Sequence, residues 1–136
     1  MKLYGMSTNL STKHYKYSLL LFLGIFLSAC GDNHQSDLIG TWKAHQVLEE
    51  NEPLSLNPEE IRFDFSNTGD YHFTSTLNYQ EAGRYYLEKE LLYTLDTLNQ
   101  ESIEKVVQIQ FLSPDTIQLK MQHQGKDRTI ELSKQQ

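Results

Sequence analysis

The chain has 136 residues, of which 38% are hydrophobic and 22% are charged, and this length and composition suit one globular domain rather than two. All 18 acidic residues follow Cys30, whereas three of the 12 basic residues precede it, so the segment from Cys30 onward has a net charge of −9. Such an acidic segment without a basic patch argues against nucleic acid as a partner. A single cysteine excludes an internal disulfide.

The first 29 residues have the order of a secretory signal peptide. Residues 1–18 contain three lysines and no acid, residues 19–26 (LLLFLGIF) are almost wholly apolar, and residues 27–29 are mostly small. The apolar run is about half of the roughly 20 residues that a membrane-spanning helix needs. We therefore expect a cleaved signal peptide rather than a transmembrane anchor.

Residues 27–30 (LSAC) resemble the lipobox of bacterial lipoproteins. The resemblance implies cleavage before Cys30 and lipid on this cysteine, and two or more acyl chains hold a protein firmly at a membrane. The alternative is a free or buried thiol in an ordinary secreted protein. Gly31, rather than an aspartate, follows the cysteine, which favours the outer membrane. Residues 30–37 are polar, and we expect a flexible tether there without folded structure.

From Leu38 onward, apolar and polar residues alternate in short runs separated by turn residues, which is the pattern of antiparallel strands. The clearest unit is a hairpin around the turn at residues 67–70. Asn57 and Pro58 predict a capped helical turn, and Gly83 predicts a bulge or sharp bend. The predicted strands cover residues 38–48, 61–66, 71–77, 80–88, 91–98, 103–112, 116–123 and 127–133.

Eight strands with one apolar face each predict an all-β domain over residues 38–136. Closing them into an antiparallel up-and-down barrel would bury every apolar face and remove both open edges. Two packed sheets, a β-sandwich, are the alternative because the same alternation permits them. We favour the barrel because the turns between successive strands are short.

The triplet Gly40-Thr41-Trp42 resembles the G-x-W motif of lipocalins. Together with residues 65–73 (FSNTGDYHF) and 83–85 (GRY), the lipobox-like segment and the tether, it is similar to the small bacterial lipocalin-like lipoproteins. This resemblance implies a calycin-type barrel whose base is closed by Gly40 and Trp42. It also implies that Arg128, from the last strand, packs over the tryptophan as a cation on an indole face.

A barrel of eight strands is just wide enough either to fill itself with side chains or to hold one small ligand. The candidate lining residues are Tyr71, Phe73, Tyr85, Tyr93, Phe111 and Met121. As a cavity wall they suit a small apolar or aromatic ligand. As a solid core they need no ligand, and the domain would instead be an envelope module that binds a protein partner through its surface.

The sequence contains no signature of catalysis or of metal binding. The histidines after Cys30 form neither H-x-H nor H-x-x-x-H, and they are His34, His45, His72 and His123. The pairs Glu49-Glu50 and Glu59-Glu60 lie in a polar connection, where carboxylates usually face water. Motifs of nucleophilic, redox, nucleotide-binding and zinc hydrolase sites are absent. We therefore expect a monomeric, non-enzymatic protein without a cofactor.

Overall fold

The computed structural model describes residues 34–136, so the expected signal peptide, Cys30 and the first part of the expected tether lie outside the described residues. One helical turn, α1, precedes nine strands in the described part of the chain. Their bounds are α1 Gln35–Leu38, β1 Gly40–Glu49, β2 Glu52–Pro53, β3 Arg62–Phe65, β4 Asp70–Thr74, β5 Gln80–Glu88, β6 Leu91–Asp96, β7 Lys105–Ser113, β8 Thr116–His123 and β9 Lys126–Lys134. Two 3-10 turns, Pro58–Glu60 and Thr76–Asn78, lie before β3 and β5.

Eight of the strands form one closed antiparallel barrel. The hydrogen-bonded ladder runs β1, β3, β4, β5, β6, β7, β8 and β9, and β9 pairs back with β1. The short β2 pairs with the end of β1. Because the ladder is continuous around the molecule, the predicted eight-stranded up-and-down barrel is confirmed, and the two-sheet sandwich is excluded.

A bulge in β1 keeps its apolar residues inside the barrel. The first half of β1 pairs with β3, and most of its length pairs with β9 across a register shift at His45. Both His45 and Gln46 are exposed, whereas Trp42 and Ala44 before the bulge and Val47 after it are buried. Since side chains alternate along a strand, the extra residue returns the next apolar side chain to the interior.

The inward-facing side chains form one apolar core. The buried apolar residues are Leu38, Trp42, Ala44, Val47, Ile61, Phe65, Tyr71, Tyr85, Leu87, Leu92, Ile109, Ile117, Leu119, Ile130 and Leu132. Three polar residues are also buried, Glu81 on β5 with Thr94 and Asp96 on β6. The polar part of the interior is therefore confined to two neighbouring strands.

Most of the predicted local structure is present. β5 and β8 have the predicted bounds, and the Asn57 side chain caps the turn that follows it by accepting a hydrogen bond from the Glu59 amide at 3.2 Å. β4 ends at Thr74, so the predicted extension of this strand to Leu77 is wrong. Leu77 has a left-handed backbone conformation, and its side chain is 96% exposed.

The start of the folded domain also differs from the prediction. The expected unstructured tether extended through Asp37, but α1 already begins at Gln35. Leu38, the last residue of this turn, is fully buried, and its carbonyl oxygen accepts a 2.7 Å hydrogen bond from Nε1 of Trp42. The apolar contact and the hydrogen bond together fix α1 across one end of the barrel, which we call the closed end.

Candidate functional site

A cavity of about 140 Å³ lies inside the barrel, toward the end opposite α1. Its wall is mainly apolar and comes from seven of the eight barrel strands. The lining residues are Phe63, Tyr71, Phe73, Glu81, Leu92, Thr94, Lys105, Val107, Leu119, Met121 and Ile130. The connection from β1 to β3 contributes no lining residue.

Aromatic side chains on β3 and β4 form one side of the cavity. Phe63 and Phe73 are directly opposite each other in the ladder, and their ring centroids are 4.4 Å apart. Phe63 also stacks on Phe65, with centroids 5.6 Å apart and planes at 4°. The alternation of the two strands places all these rings on the inner face, so the cavity has a firm aromatic wall.

A buried carboxylate supplies the polar side of the cavity. Glu81 is 7% exposed, and its Oε2 accepts a 3.1 Å hydrogen bond from the Tyr71 hydroxyl. Its Oε1 accepts hydrogen bonds from the Tyr79 hydroxyl at 2.8 Å and from Nζ of Lys105 at 2.5 Å. A charged group inside a protein requires such partners, and Lys105 provides the compensating positive charge.

The pKa values in this cluster follow from its burial and its charges. Burial, followed by the negative charge of Glu81, raises the pKa of Tyr71 well above its ordinary value. Burial, the largest single influence, would lower the pKa of Lys105, but the hydrogen bond to Glu81 and the negative charges around the ammonium group together outweigh it, and the pKa is raised. Tyr71 is therefore neutral and Lys105 is charged near neutral pH, so Glu81 faces one full positive charge and two hydroxyl donors.

Asp96 holds the loop that leads from β6 toward Lys105. Its carboxylate accepts hydrogen bonds from the side-chain amide of Asn99 at 2.5 Å, from the Asn99 backbone amide at 3.1 Å and from the Ala82 amide at 3.4 Å. Burial raises the pKa of Asp96, but these hydrogen bonds outweigh burial and hold the pKa below its usual value. The loop is thereby tied to β5 close to Glu81.

Three of the six residues proposed from the sequence, Tyr71, Phe73 and Met121, line the cavity. Tyr85 and Phe111 lie at the closed end instead. The Tyr85 hydroxyl donates a 2.7 Å hydrogen bond to the Ser66 carbonyl oxygen, and the Phe111 ring is 5.2 Å from that of His34. The proposal for these two residues is wrong because inward-facing positions extend along the whole barrel and the cavity occupies only one part of it.

The proposal that Tyr93 lines the interior is also wrong. Leu92 and Thr94 face inward on β6, so Tyr93 between them faces outward. There its ring stacks on that of Tyr86 with centroids 4.5 Å apart. Glu81 and Lys105 were missed by the sequence analysis, although Glu81 is in phase with the buried Tyr85 and Leu87, a pattern that could have revealed it.

The closed end contains Gly40 and Trp42, but Arg128 does not cover the tryptophan. The cation over the ring is Lys134, whose Nζ lies 5.3 Å from the ring centroid and donates a 3.0 Å hydrogen bond to the Asp37 carbonyl oxygen. Gly40 permits this approach, since a β carbon there would lie 2.9 Å from Cε of Lys134. The prediction for Arg128 is therefore wrong.

Arg128 belongs to an ion pair at the opposite end of the barrel. Its Nη2 is 2.6 Å from Oε2 of Glu49, and Nζ of Lys126 is 3.1 Å from Oε1 of the same carboxylate. These hydrogen bonds, that of Arg128 first, hold the pKa of Glu49 below its usual value. The ion pair joins the last residue of β1 to β9 where the two strands end their pairing.

The described residues hold no group of three or more histidine, cysteine, aspartate or glutamate side chains that could bind a metal ion. The histidines are separate; His34 pairs with Asp37, and His45 with Glu131. Over residues 34–136, no helix is long and apolar enough to cross a bilayer.

No family model matches the chain, and no curated protein matches it either. A fold of this kind hosts many functions. Function is therefore argued from the cavity, its buried carboxylate and the N-terminal sequence.

Proposed function

We propose that this protein is a lipid-anchored, lipocalin-like barrel of the bacterial envelope that binds a small apolar ligand in its interior. The observation that carries the proposal is the cavity of about 140 Å³. Sites for drug-sized ligands usually span about 300 to 1,000 Å³, which is larger. A cavity of about 150 Å³ in another protein takes up benzene. The proposed ligand is therefore no larger than a single ring or a short branched chain.

The composition of the wall supports a binding site. Protein interiors are close-packed, so an apolar void deprives its lining of dispersion contacts that a ligand would restore. The apolar wall with a few polar groups at one end, Glu81, Thr94 and Lys105, resembles small-molecule sites in general. These features favour a binder over the alternative, an envelope interaction module with a solid core.

The membrane attachment rests on the sequence. Residues 27–30 resemble a lipobox, and the described chain reaches the barrel at its closed end, where His34 contacts Phe111. Gly31 after the cysteine favours the outer membrane as the site of attachment.

Lipidation is tested by the intact mass of the full chain expressed in a bacterium. We expect the purified protein to begin at Cys30, to carry the mass of a diacylglyceryl group and an acyl group, and to be recovered with membranes. Cys30→Ala should lose the added mass, whereas Ser36→Ala, an exposed position in α1, should keep it. A wild-type protein with a free Cys30 thiol would contradict the proposed anchor.

Ligand binding is tested by thermal unfolding of the full chain with toluene as the probe. Toluene at a hundredfold excess over its Kd should stabilise the wild-type protein by about 2.7 kcal/mol and raise its Tm. Val107→Phe, which places a larger side chain in the cavity, should abolish this rise. Val106→Phe is the matched control on the outer face of the same strand, and it should behave as the wild type. An equal rise in both variants would place toluene outside the cavity.

A further inference from the structure

The ion pair beside the cavity joins two very unequal partners. The Glu81 side chain is only 10% exposed, whereas that of Lys105 is 46% exposed, with the two charged atoms 2.5 Å apart. The carboxylate is thus a fixed part of the wall. The lysine is a long side chain that reaches it from the solvent side and can move back into water, where an ammonium group is well hydrated.

We propose, on the basis of the ligand-binding function above, that the cavity takes a compact primary amine whose ammonium group replaces that of Lys105 at Glu81. The apolar body of the amine then fills the space between Phe63, Phe73 and Met121. In the ligand-free protein, Lys105 keeps the buried carboxylate compensated. Binding exchanges one ammonium for another and leaves no unpaired charge inside the barrel.

The remaining contacts of Glu81 suit this exchange. Oε2 accepts a hydrogen bond from the Tyr71 hydroxyl, and a carboxylate oxygen can accept more than one. Oε1 keeps the Tyr79 hydroxyl as a donor when Lys105 leaves. The carboxylate therefore stays oriented by two tyrosine hydroxyls during the exchange, so that its geometry is set before an amine arrives.

The aromatic wall adds a second attraction for a cation. Phe63, Tyr71 and Phe73 line the same cavity as Glu81, and ring faces attract ammonium groups within about 6 Å of their centroids. Such contacts are strongest where the cation is desolvated, as it would be inside the barrel. An amine inside the cavity would meet both the carboxylate and these ring faces.

The charge of the domain selects the sign of the ligand. From Cys30 onward there are 18 acidic and nine basic residues, so the surface potential draws cations toward the protein and repels carboxylate ligands. Size selects the body of the ligand, since about 140 Å³ suits a single ring. Benzylamine meets both conditions, and benzyl alcohol and benzoate are matched probes with the same ring.

The test is calorimetric titration of the full chain in detergent with these three probes near neutral pH. Benzylamine should bind at least tenfold more tightly than benzyl alcohol, because its ammonium group can compensate the Glu81 carboxylate when Lys105 leaves and the neutral hydroxyl cannot. Benzoate should bind most weakly. Glu81→Gln should remove the preference for the amine over the alcohol.

Lys105→Met distinguishes an ion pair that competes with the ligand from one that only stabilises the fold. It keeps an apolar stem of similar length but removes the competing ammonium, so the affinity for benzylamine should rise about tenfold. Lys120→Met, an exposed position on β8, is the control and should leave the affinity unchanged. This pair of variants remains informative if Glu81→Gln does not fold.

The outcomes separate the two proposals. If benzyl alcohol and benzylamine bind equally and Lys105→Met changes neither affinity, the amine inference is wrong while ligand binding stands. If benzoate binds most tightly, Lys105 rather than Glu81 recognises the ligand, and the inference is again wrong. If toluene and all three probes fail to bind, the proposed ligand-binding function fails as well.

Discussion

Gly83 lies where the backbone of β6 and the residue after it leaves no room for a β carbon on β5. A β carbon on Gly83 would lie 1.8 Å from the Leu95 carbonyl oxygen and 2.9 Å from the Thr97 amide nitrogen. Both are backbone atoms, so no side-chain rotation relieves the contact. Gly83→Ala must separate the two strands next to the buried Glu81 and Asp96, and it therefore disturbs the polar part of the interior.

We expect Gly83→Ala to lower the free energy of unfolding by about 3 kcal/mol or more, at the upper end for overpacked sites. Gly125→Ala is the control, because Gly125 has a φ of +78° but no atom within 4 Å of the added carbon. It should cost only the left-handed backbone strain of about 1 kcal/mol. Urea denaturation measures the free energy of unfolding of both variants. An equal decrease in the two variants would contradict the close backbone contact at Gly83.

Lys134, and not Arg128, is the cation over the Trp42 ring, and the sequence alone could not distinguish the two residues. Both residues face inward on β9, so their alternation is identical. A register shift by any even number of residues, including the six that separate Arg128 from Lys134, keeps the same face inside, and a sequence pattern cannot distinguish such registers. The observed register places Lys134 opposite Trp42 and Arg128 opposite Glu49. The resemblance implied that Arg128 lies over the tryptophan, whereas the cation found there is Lys134.

The bounds and inward face of a strand were predicted correctly where apolar and polar residues alternate strictly. β8 alternates strictly between apolar and polar residues, and its predicted and observed bounds agree. β6 carries large apolar side chains on both faces, with Leu92 inward and Tyr93 outward, so the sequence did not indicate which face is buried. Two of the inward residues, Thr94 and Asp96, are polar, whereas inward residues are expected to be apolar. Tyr93 was therefore predicted to lie on the inner face, which is wrong.

The helical turn α1 is held to the barrel by the buried Leu38 side chain and by hydrogen bonds that include those from Trp42 and Lys134 to its carbonyl oxygens. Leu38→Ala should lower the free energy of unfolding by about 2 to 5 kcal/mol, since Leu38 is fully buried and the backbone bond to Trp42 cannot compensate for the cavity left behind. Leu77→Ala, at a position 96% exposed, should change it by less than about 0.5 kcal/mol. Similar denaturant midpoints for the two variants would show that α1 does not seal the core.

The two ends of the barrel contain different kinds of side-chain interaction. α1, Trp42 and Lys134 fill one end, whereas ion pairs of Glu49 with Arg128 and of Glu81 with Lys105 lie toward the other. Eight strands with one apolar face each made closure predictable, because only a closed sheet buries them all. The cavity was not predictable, since its volume depends on how individual side chains pack inside that sheet.

The measurement that tests the cavity most directly is a methyl NMR titration of the full chain with toluene. Ligand inside the barrel should shift the methyl signals of Val107, Leu92 and Met121 in a saturable way and leave those of Ile117 and Leu132 almost unchanged. This result would establish that the interior is open to a small apolar molecule. If the methyl signals of the lining residues do not shift at saturating toluene, or if only those of the outward-facing Val106 shift, toluene does not bind inside the barrel and the account is contradicted.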